Sequence, residues 1–388
     1  MQELIDLGWL EEPLDGNHGS IHPKTSDYVS TGVPFIMATD LRSGTVDYKN
    51  CAFITETQAA GLRKGFSHPG DVLLTHKATI GRTAIVPDTY KTIILTPQVT
   101  YYRVKKNIDN RYLKYYFDTP AFQITLSNWA GSGSTRAYLG ITAQKKLPVI
   151  LPEYAIQKRV ASILGILDDK IRNNNEINEN LSDQIQAIYS NEFDPTTHMP
   201  SGVLADICSY SSDRIPVSEL SISTYFSTEN MQPNKMGSVD ATSLPAITQT
   251  TGCHKGDVLV SNIRPYFKKI VYVTDDRCGC STDVLCFVPK EDQYSAFLFG
   301  TLYMDRFFDY MVAGSKGTKM PRGDKQQIMN YPVVVPDKES LDLFNGLIVP
   351  MLDQIATNRS ESSRLAALRD ALLPKLMSGE LDVSDLAV

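Results

Sequence analysis

The chain has 388 residues, a formal charge of −6 and a hydrophobic fraction of 42%. That is enough for two or three domains, too apolar for disorder, and without the run of about eighteen apolar residues that a membrane span needs. Met1-Gln2-Glu3-Leu4-Ile5-Asp6 has no basic leader segment, so membrane, secreted and fibrous classes are set aside and a cytoplasmic location is expected. The six cysteines are too few for a disulfide scaffold. Cys278, Cys280 and Cys286 lack the paired C-x-x-C spacing of a zinc site, and Cys253-His254 is the nearest approach to a metal pair. Reduced thiols and no metal are the expectation.

Gly70-Asp71 ahead of Val72-Leu73-Leu74-Thr75 reads as a turn entering a strand. Arg111–Leu126 reads as a helical segment with an aromatic face, and Leu147-Pro148-Val149-Ile150-Leu151-Pro152 as a Pro-flanked strand. From Glu153 a heptad seam follows through Val160, Leu164, Leu167, Ile171, Asn174, Asn178, Leu181, Ile185 and Ile188, with a polar layer at its middle.

The same order then returns. Gly256-Asp257-Val258-Leu259-Val260-Ser261 repeats the first strand, Tyr294–Val312 the helical segment, Ala313-Gly314-Ser315 repeats Ala130-Gly131-Ser132, and Tyr331-Pro332-Val333-Val334-Val335-Pro336 the Pro-flanked run. The three motif matches are displaced by 186, 183 and 184 residues. From near Asp337 a second seam uses Phe344, Ile348, Met351, Ile355, Asn358, Ser362, Leu365, Arg369 and Leu372, in which Arg369 alone breaks the apolar rule. The chain is thus a tandem duplication of an α+β unit of roughly 185 residues, each followed by a long helix. Two helices with polar centres match their layers best when packed antiparallel, and a buried polar layer fixes register. The pairing residues are Leu164, Leu167, Ile171, Asn174, Asn178 and Leu181 against Ile348, Met351, Ile355, Asn358, Ser362 and Leu365. The alternative is two independent amphipathic core helices.

Charge divides along the same lines. Residues 1–150 carry a net +3, residues 151–195 −4, residues 196–335 −1 and residues 336–388 −4. Acidic helices repel a polyanion, so any nucleic-acid surface belongs to the α+β parts. Catalysis is disfavoured: there is no G-x-x-x-x-G-K-[ST], H-E-x-x-H or G-x-S-x-G. The Asn-Pro-Pro-aromatic box of amino-methyltransferases is absent too.

Polar loops recur at equivalent places. The first repeat offers Thr75, His76, Lys77, Thr79 and Arg82, then Ser134, Thr135, Arg136 and Tyr138; the second offers Ser261, Asn262, Arg264, Tyr266, Lys268 and Lys269, then Lys316, Thr318, Lys319 and Arg322. Hydroxyl, amide and guanidinium groups on loops suit phosphate positioning and base-edge hydrogen bonding, although a solvated loop surface has the same composition. The frameworks match while the loops differ, which suits a target of two unlike halves.

Gly32-Val33-Pro34-Phe35-Ile36 leading to Asp40, the Gly-Asp-Val-Leu strands, the Gly-Ser loops ahead of the Pro-Val runs and the two long helices together resemble the specificity (S) subunits of type I restriction–modification systems. Ser223-Thr224-Tyr225-Phe226-Ser227-Thr228-Glu229-Asn230-Met231 resembles one class of second-half recognition domain. The resemblance implies two pseudo-twofold-related target recognition domains, residues 1–152 and 196–336. Two long antiparallel conserved helical regions, central (153–195) and distal (337–388), would separate them. It further implies a non-catalytic DNA-specificity subunit that reads a bipartite asymmetric target in double-stranded DNA. This subunit would dock two modification (methyltransferase) subunits, and restriction subunits join through the complex. S-adenosylmethionine, ATP and Mg are then expected in the partner subunits and none in this one. The alternatives are the recognition subunit of a type IIB-like system, or a protein scaffold that binds no DNA.

Overall fold

The computed structural model describes residues 1–131 and 137–384, with Ser20 described by its backbone alone. The chain divides into two compact units, Met1–Ile171 with Arg364–Val388, and Arg172–Ser363.

In the first unit β1 (Leu14–Asp15), β2 (Val72–Lys77), β3 (Thr79–Ile85) and β4 (Val99–Tyr102) form an antiparallel sheet in the order β1-β4-β2-β3. The apolar run of β2 does not alternate because both of its faces are covered. Val72 and Leu74 pack with Tyr102, Leu113 and Phe117, and Leu73 packs on the other side with Ile36, Leu95 and Tyr101. A second four-stranded sheet runs Ala52–Ile54, Val33–Ile36, Ile93–Leu95, Phe66–Ser67.

The second unit repeats this plan. Its β5 (Cys208–Tyr210), β6 (Val258–Ser261), β7 (Ile270–Tyr272) and β8 (Val284–Pro289) are ordered β5-β8-β6-β7, again antiparallel throughout. Its second sheet runs Arg214–Pro216, Gln249–Cys253, Cys278–Cys280, Tyr225–Phe226.

The recurring Gly-Asp pair is a turn lock. Gly70 and Gly256 hold φ of 86° and 94°, where a side chain would be strained. The Asp71 carboxylate accepts the His68 amide at 2.8 Å, the Ser67 hydroxyl at 2.9 Å, and two Arg103 hydrogen bonds at 2.8 and 2.7 Å. Asp257 accepts the His254 amide in the same way at 2.8 Å. Removing Asp71 would leave the Ser67 hydroxyl and the His68 amide without this acceptor and Arg103 with only Glu11 and the Phe66 carbonyl. Asp71→Ala is expected to destabilise the first unit by about 3 kcal/mol, read as a shift of the urea midpoint; a loss under about 1 kcal/mol would reject the lock.

The sequence predicts one helix over Arg111–Leu126, but two form, α1 (Asn110–Asp118) and α2 (Pro120–Trp129). Pro120 cannot continue α1 and holds Thr119 extended, and the Thr119 hydroxyl then caps α2 by accepting from the Phe122 amide at 3.3 Å. The long helices are α3 (Tyr154–Phe193, 40 residues) and α6 (Lys338–Ser378, 41 residues), whose starts lie 184 residues apart. In the second unit α4 (Ser295–Tyr303) and α5 (Asp305–Ala313) replace the single helix predicted over Tyr294–Val312. Met304 is extended between them, and Asp305 opens α5 against Lys235 at 2.6 Å and Lys268 at 3.1 Å.

Within the first unit Val160, Ala161 and Leu164 of α3 pack with Leu373 and Leu376 of α6 and with Tyr112 and Tyr115 of α1. Within the second, Ile185, Tyr189 and Phe193 of α3 pack with Phe344, Ile348, Leu352 and Ile355 of α6 and with Phe297 of α4. The polar layer lies in the second unit. The Asn174 side-chain amide donates to Glu361 at 2.7 Å, Ser362 at 3.3 Å and the Asn358 carbonyl at 3.4 Å, and that of Asn358 donates to Asn178 at 2.9 Å. Stepping forward from Asn174 to Asn178 steps back from Ser362 to Asn358, so the helices run antiparallel there.

Of the other seam residues, Leu164, Ile348 and Ile355 are buried, while Leu167, Ile171, Leu181, Met351, Ser362 and Leu365 are partly covered. Towards the ends the seam moves over by one position, from Ile188 to Tyr189, Met351 to Leu352 and Leu372 to Leu373. A straight helix drifts about 20° per heptad against a strict 3.5-residue repeat, which accounts for the shift. Arg369 is no break in the seam: it donates to Asp168 of α3 at 2.8 Å.

Candidate nucleic-acid interface

In each unit the strand that follows Gly-Asp feeds a loop that is paired, backbone to backbone, with a loop from more than fifty residues further along the chain. In the first unit the hairpin between β2 and β3 turns at Ala78, whose φ is 63°. Lys77 bridges Tyr138, the Ala78 amide donates to the Ala137 carbonyl at 3.1 Å and the Leu139 amide to the His76 carbonyl at 3.0 Å. Gln123 of α2 donates to the Gly81 carbonyl at 2.9 Å and steadies the hairpin from behind. Sequence reading missed that residue, which only its place on the second helix could have suggested. In the second unit Ile263 bridges Arg322, the Arg264 amide donates to the Pro321 carbonyl at 2.8 Å, and Lys316 bridges Arg322. Arg264 and Lys268, at φ of 51° and 50°, bracket the short 3-10 turn Pro265–Phe267.

The candidate residues divide into two kinds. Thr75 and His76 are fully buried at 0% exposure, so they support the hairpin and present nothing to a groove. The Thr75 hydroxyl accepts the Arg82 amide at 2.9 Å, and His76 Nδ1 meets the Leu139 carbonyl at 3.0 Å. Burial lowers the His76 pKa, which keeps the ring neutral. Ser261 and Asn262 are likewise buried, with the Ser261 hydroxyl donating to the Ile263 carbonyl and the Asn262 carbonyl accepting from Gly323. Lys268 is tied to Asp305 and Lys269 to the Thr228 carbonyl, so both brace the second loop from within. Alternation along a strand would place only one of each neighbouring pair inward, whereas Thr75 and His76, and Ser261 and Asn262, are buried together.

Lys77, Thr79, Arg82 and Tyr138 are exposed in the first unit, and Tyr266, Lys316, Thr318, Lys319 and Arg322 in the second. Arg82 is anchored through Nη1 to the Ala38 carbonyl at 3.2 Å, Arg322 pairs with Asp283 at 2.8 Å and Lys316 with Asp324 at 2.7 Å. Arg264 is partly covered, with Nη2 donating to the Lys319 carbonyl at 3.4 Å. Phe267 and Met320 also stand exposed beside these cations, Phe267 with its ring centroid 4.8 Å from that of Tyr266. Such a mixture of guanidinium, ammonium, hydroxyl and aromatic groups can hold phosphate, bond base edges and meet thymine methyls. Ser134, Thr135 and Arg136 lie outside the described residues.

Among the described residues no group of three or more His, Cys, Asp or Glu is placed to hold a metal ion. All six cysteines are free thiols, and burial pushes Cys278 up to about 12. No helix is long and apolar enough to cross a membrane among the described residues.

The sequence model of the type I restriction modification DNA specificity domain matches residues 14–183. The chain is 24% identical over 406 aligned positions to the type I restriction enzyme MjaIX specificity subunit of Methanocaldococcus jannaschii, covering 94% of this chain and 90% of that protein. Residues 14–183 belong to the type I specificity-domain family, and the chain as a whole is similar to a type I specificity subunit. A shorter match, 25% identical over 113 residues, covers 29% of this specificity subunit and 25% of the HindI specificity subunit of Haemophilus influenzae. The fold is that of the type I S subunit from M. genitalium, with a TM-score of 0.56 at 14% identity over 95% of this chain and 93% of that one. This is a DNA-specificity subunit of a type I restriction–modification system, from a family that is in general non-catalytic.

Proposed function

We propose that residues 1–152 and 196–336 each read one half of a bipartite asymmetric duplex target, and that the helical regions 153–195 and 337–388 set the two readers apart. The single observation that carries this reading is the repeated loop pairing, Lys77 with Tyr138 and Ile263 with Arg322, beyond the same strand of each repeat. The exposed members, Lys77, Thr79, Arg82 and Tyr138 in one unit and Tyr266, Lys319 and Arg322 in the other, are the groups offered to DNA. Two modification subunits would dock on the helices and bring S-adenosylmethionine; restriction subunits would bring ATP and Mg. Leu343 and Leu347 give α6 an exposed apolar stripe suited to a partner, since they lie four residues apart and are 66% and 53% exposed. The chain itself performs no chemistry.

Alanine at Arg82, Lys319 or Arg322 is expected to weaken target binding by the complex with its modification subunits. A phosphate contact lowers affinity at every sequence and reduces the salt slope by about one; a base contact costs about 1–3 kcal/mol and relaxes one position. His76→Ala should lower the thermal midpoint while leaving the salt slope alone, because the ring is buried. Duplex titrations at several salt concentrations read both. Normal binding by all three cationic variants would reject the loop surface.

A further inference from the structure

One joint in the first unit is built around a carboxylate that the second unit lacks at the equivalent place. Lys114 and Tyr115 of α1, Asp168 of α3 and Arg369 of α6 meet around a single carboxylate. The Tyr115 hydroxyl donates to Asp168 Oδ2 at 2.6 Å, Lys114 Nζ lies 3.5 Å from the same oxygen, and Arg369 Nη1 donates to Oδ1 at 2.8 Å. Lys114 is itself buried, is shared with Asp118 at 2.9 Å, and lies over the Tyr115 ring at 4.5 Å. Arg111 on the same helix pairs with Asp169 at 3.2 Å. Burial opposes the charge on Asp168, yet its pKa is lowered, because the Lys114 charge, the Tyr115 hydroxyl and Arg369 together outweigh burial.

The duplication supplies an internal control. The long helices correspond at a shift of 184 residues and α1 corresponds to α4 at a shift of 185, from Asn110 to Ser295 and from Asp118 to Tyr303. At those shifts Lys114 becomes Phe299, Asp118 becomes Tyr303, Asp168 becomes Leu352 and Arg369 becomes Ile185. All four replacements lie in one apolar core, with the Phe299 and Tyr303 rings 5.1 Å apart. Tyr115 becomes Gly300, where an added Cβ would lie 2.8 Å from the Tyr189 ring. The second joint therefore packs apolar Leu352 where the first holds a carboxylate, its polar contacts being those of Tyr303 with Ser182 and with Lys235 4.6 Å over its ring. The first is a carboxylate held by directional donors from two other elements.

We infer that Asp168 is a positioning residue for target reading, fixing the angle at which the first recognition domain is seated on its helical segments and so the spacing at which its half-site is accepted. This inference rests on the proposed two-reader function. Apolar contact is non-directional and tolerates small rotations. A carboxylate shared by a phenol, an ammonium and a guanidinium satisfies all three in one geometry only. Asp168 reaches no DNA itself and acts through α1.

The test uses the full complex with its modification subunits and duplexes carrying both half-sites, taken from methylated genomic sites. The spacers are native, one base pair longer or one shorter. For Asp168→Asn, the ratio of methylation rate on the native spacer to that on the altered spacers is expected to fall at least tenfold, with base preference inside each half-site unchanged. Tyr115→Phe should show the same change in smaller measure. Leu352→Met, at the equivalent place in the second unit, should leave the ratio as it was. An assembled Asp168→Asn complex whose ratio stays within twofold of the unaltered complex would overturn the inference. Should Asp168→Asn not assemble, Tyr115→Phe decides by the same criterion, any fall beyond twofold supporting the inference. An unaltered complex that methylates regardless of the half-sites would instead overturn the two-reader function.

Discussion

Replacing residues 1–152 with the corresponding segment of another specificity subunit should change one half of the methylated target and leave the other half untouched. Each mismatched base pair costs about 1–3 kcal/mol, roughly additively, so a half-site of a few base pairs should lose its original recognition by a factor on the order of a thousand or more. The two units support the exchange because each owns its sheets, its paired loops and its own core. They also place a condition on it. The segment carries α1, whose Tyr112 and Tyr115 pack on Val160, Leu164, Leu373 and Leu376 outside it, and whose Lys114 and Tyr115 hold Asp168. A donor with these α1 residues should assemble, and one without them should fail to assemble before it fails to read. Sequencing methylated sites in cells carrying the chimaera decides the outcome. A change in both halves would mean that the readers are not independent.

The second large effect concerns helix length. Each long helix contributes to both units, with the boundaries at Ile171/Arg172 and Ser363/Arg364. Inserting four residues at both boundaries lengthens the pair by about 6 Å and rotates each helix only about 40° beyond a full turn. With base pairs about 3.4 Å apart, the accepted spacer should grow by up to about two base pairs with both half-sites unchanged. Two residues at each boundary rotate the seam by about 200° and should abolish activity. Inserting into α3 alone near Glu192 is a different experiment. It separates Tyr189 from Phe193, whose rings lie 5.6 and 5.2 Å from Phe297, and should disrupt the second unit's core. An unchanged spacer with the paired four-residue insertion would show that the helices hold the readers without measuring the gap.

The architecture was legible because it is written twice. Gly-Asp, Ala-Gly-Ser and the Pro-flanked runs kept their order and spacing, and the heptads with their Asn layer announced two long helices. Individual side chains were less legible. Thr75, His76, Ser261 and Asn262 have the polar character of reading groups but lie at strand ends whose inward face depends on the sheet covering them. Lys268 and Lys269 read as free cations until Asp305 and the Thr228 carbonyl, distant in sequence, are brought beside them. The helix breaks show the same contrast: Pro120 marks one in the sequence, whereas nothing comparable precedes Met304. Arg369 looked like a fault in a seam because its partner, Asp168, sits one position off that seam on the other helix.

The composition of the first unit from two separated stretches bears on how the protein is made. A ribosome that has reached Ser363 has delivered every residue of the second unit, which can close as it emerges. The sheets of the first unit have their own cores by then, but its joint with the helices cannot close, because Val160, Ala161 and Leu164 still await Leu373 and Leu376. Contacts of such high sequence separation form late, and the apolar surface they will cover stays open to other chains until then. The half synthesised earlier is thus the half completed last.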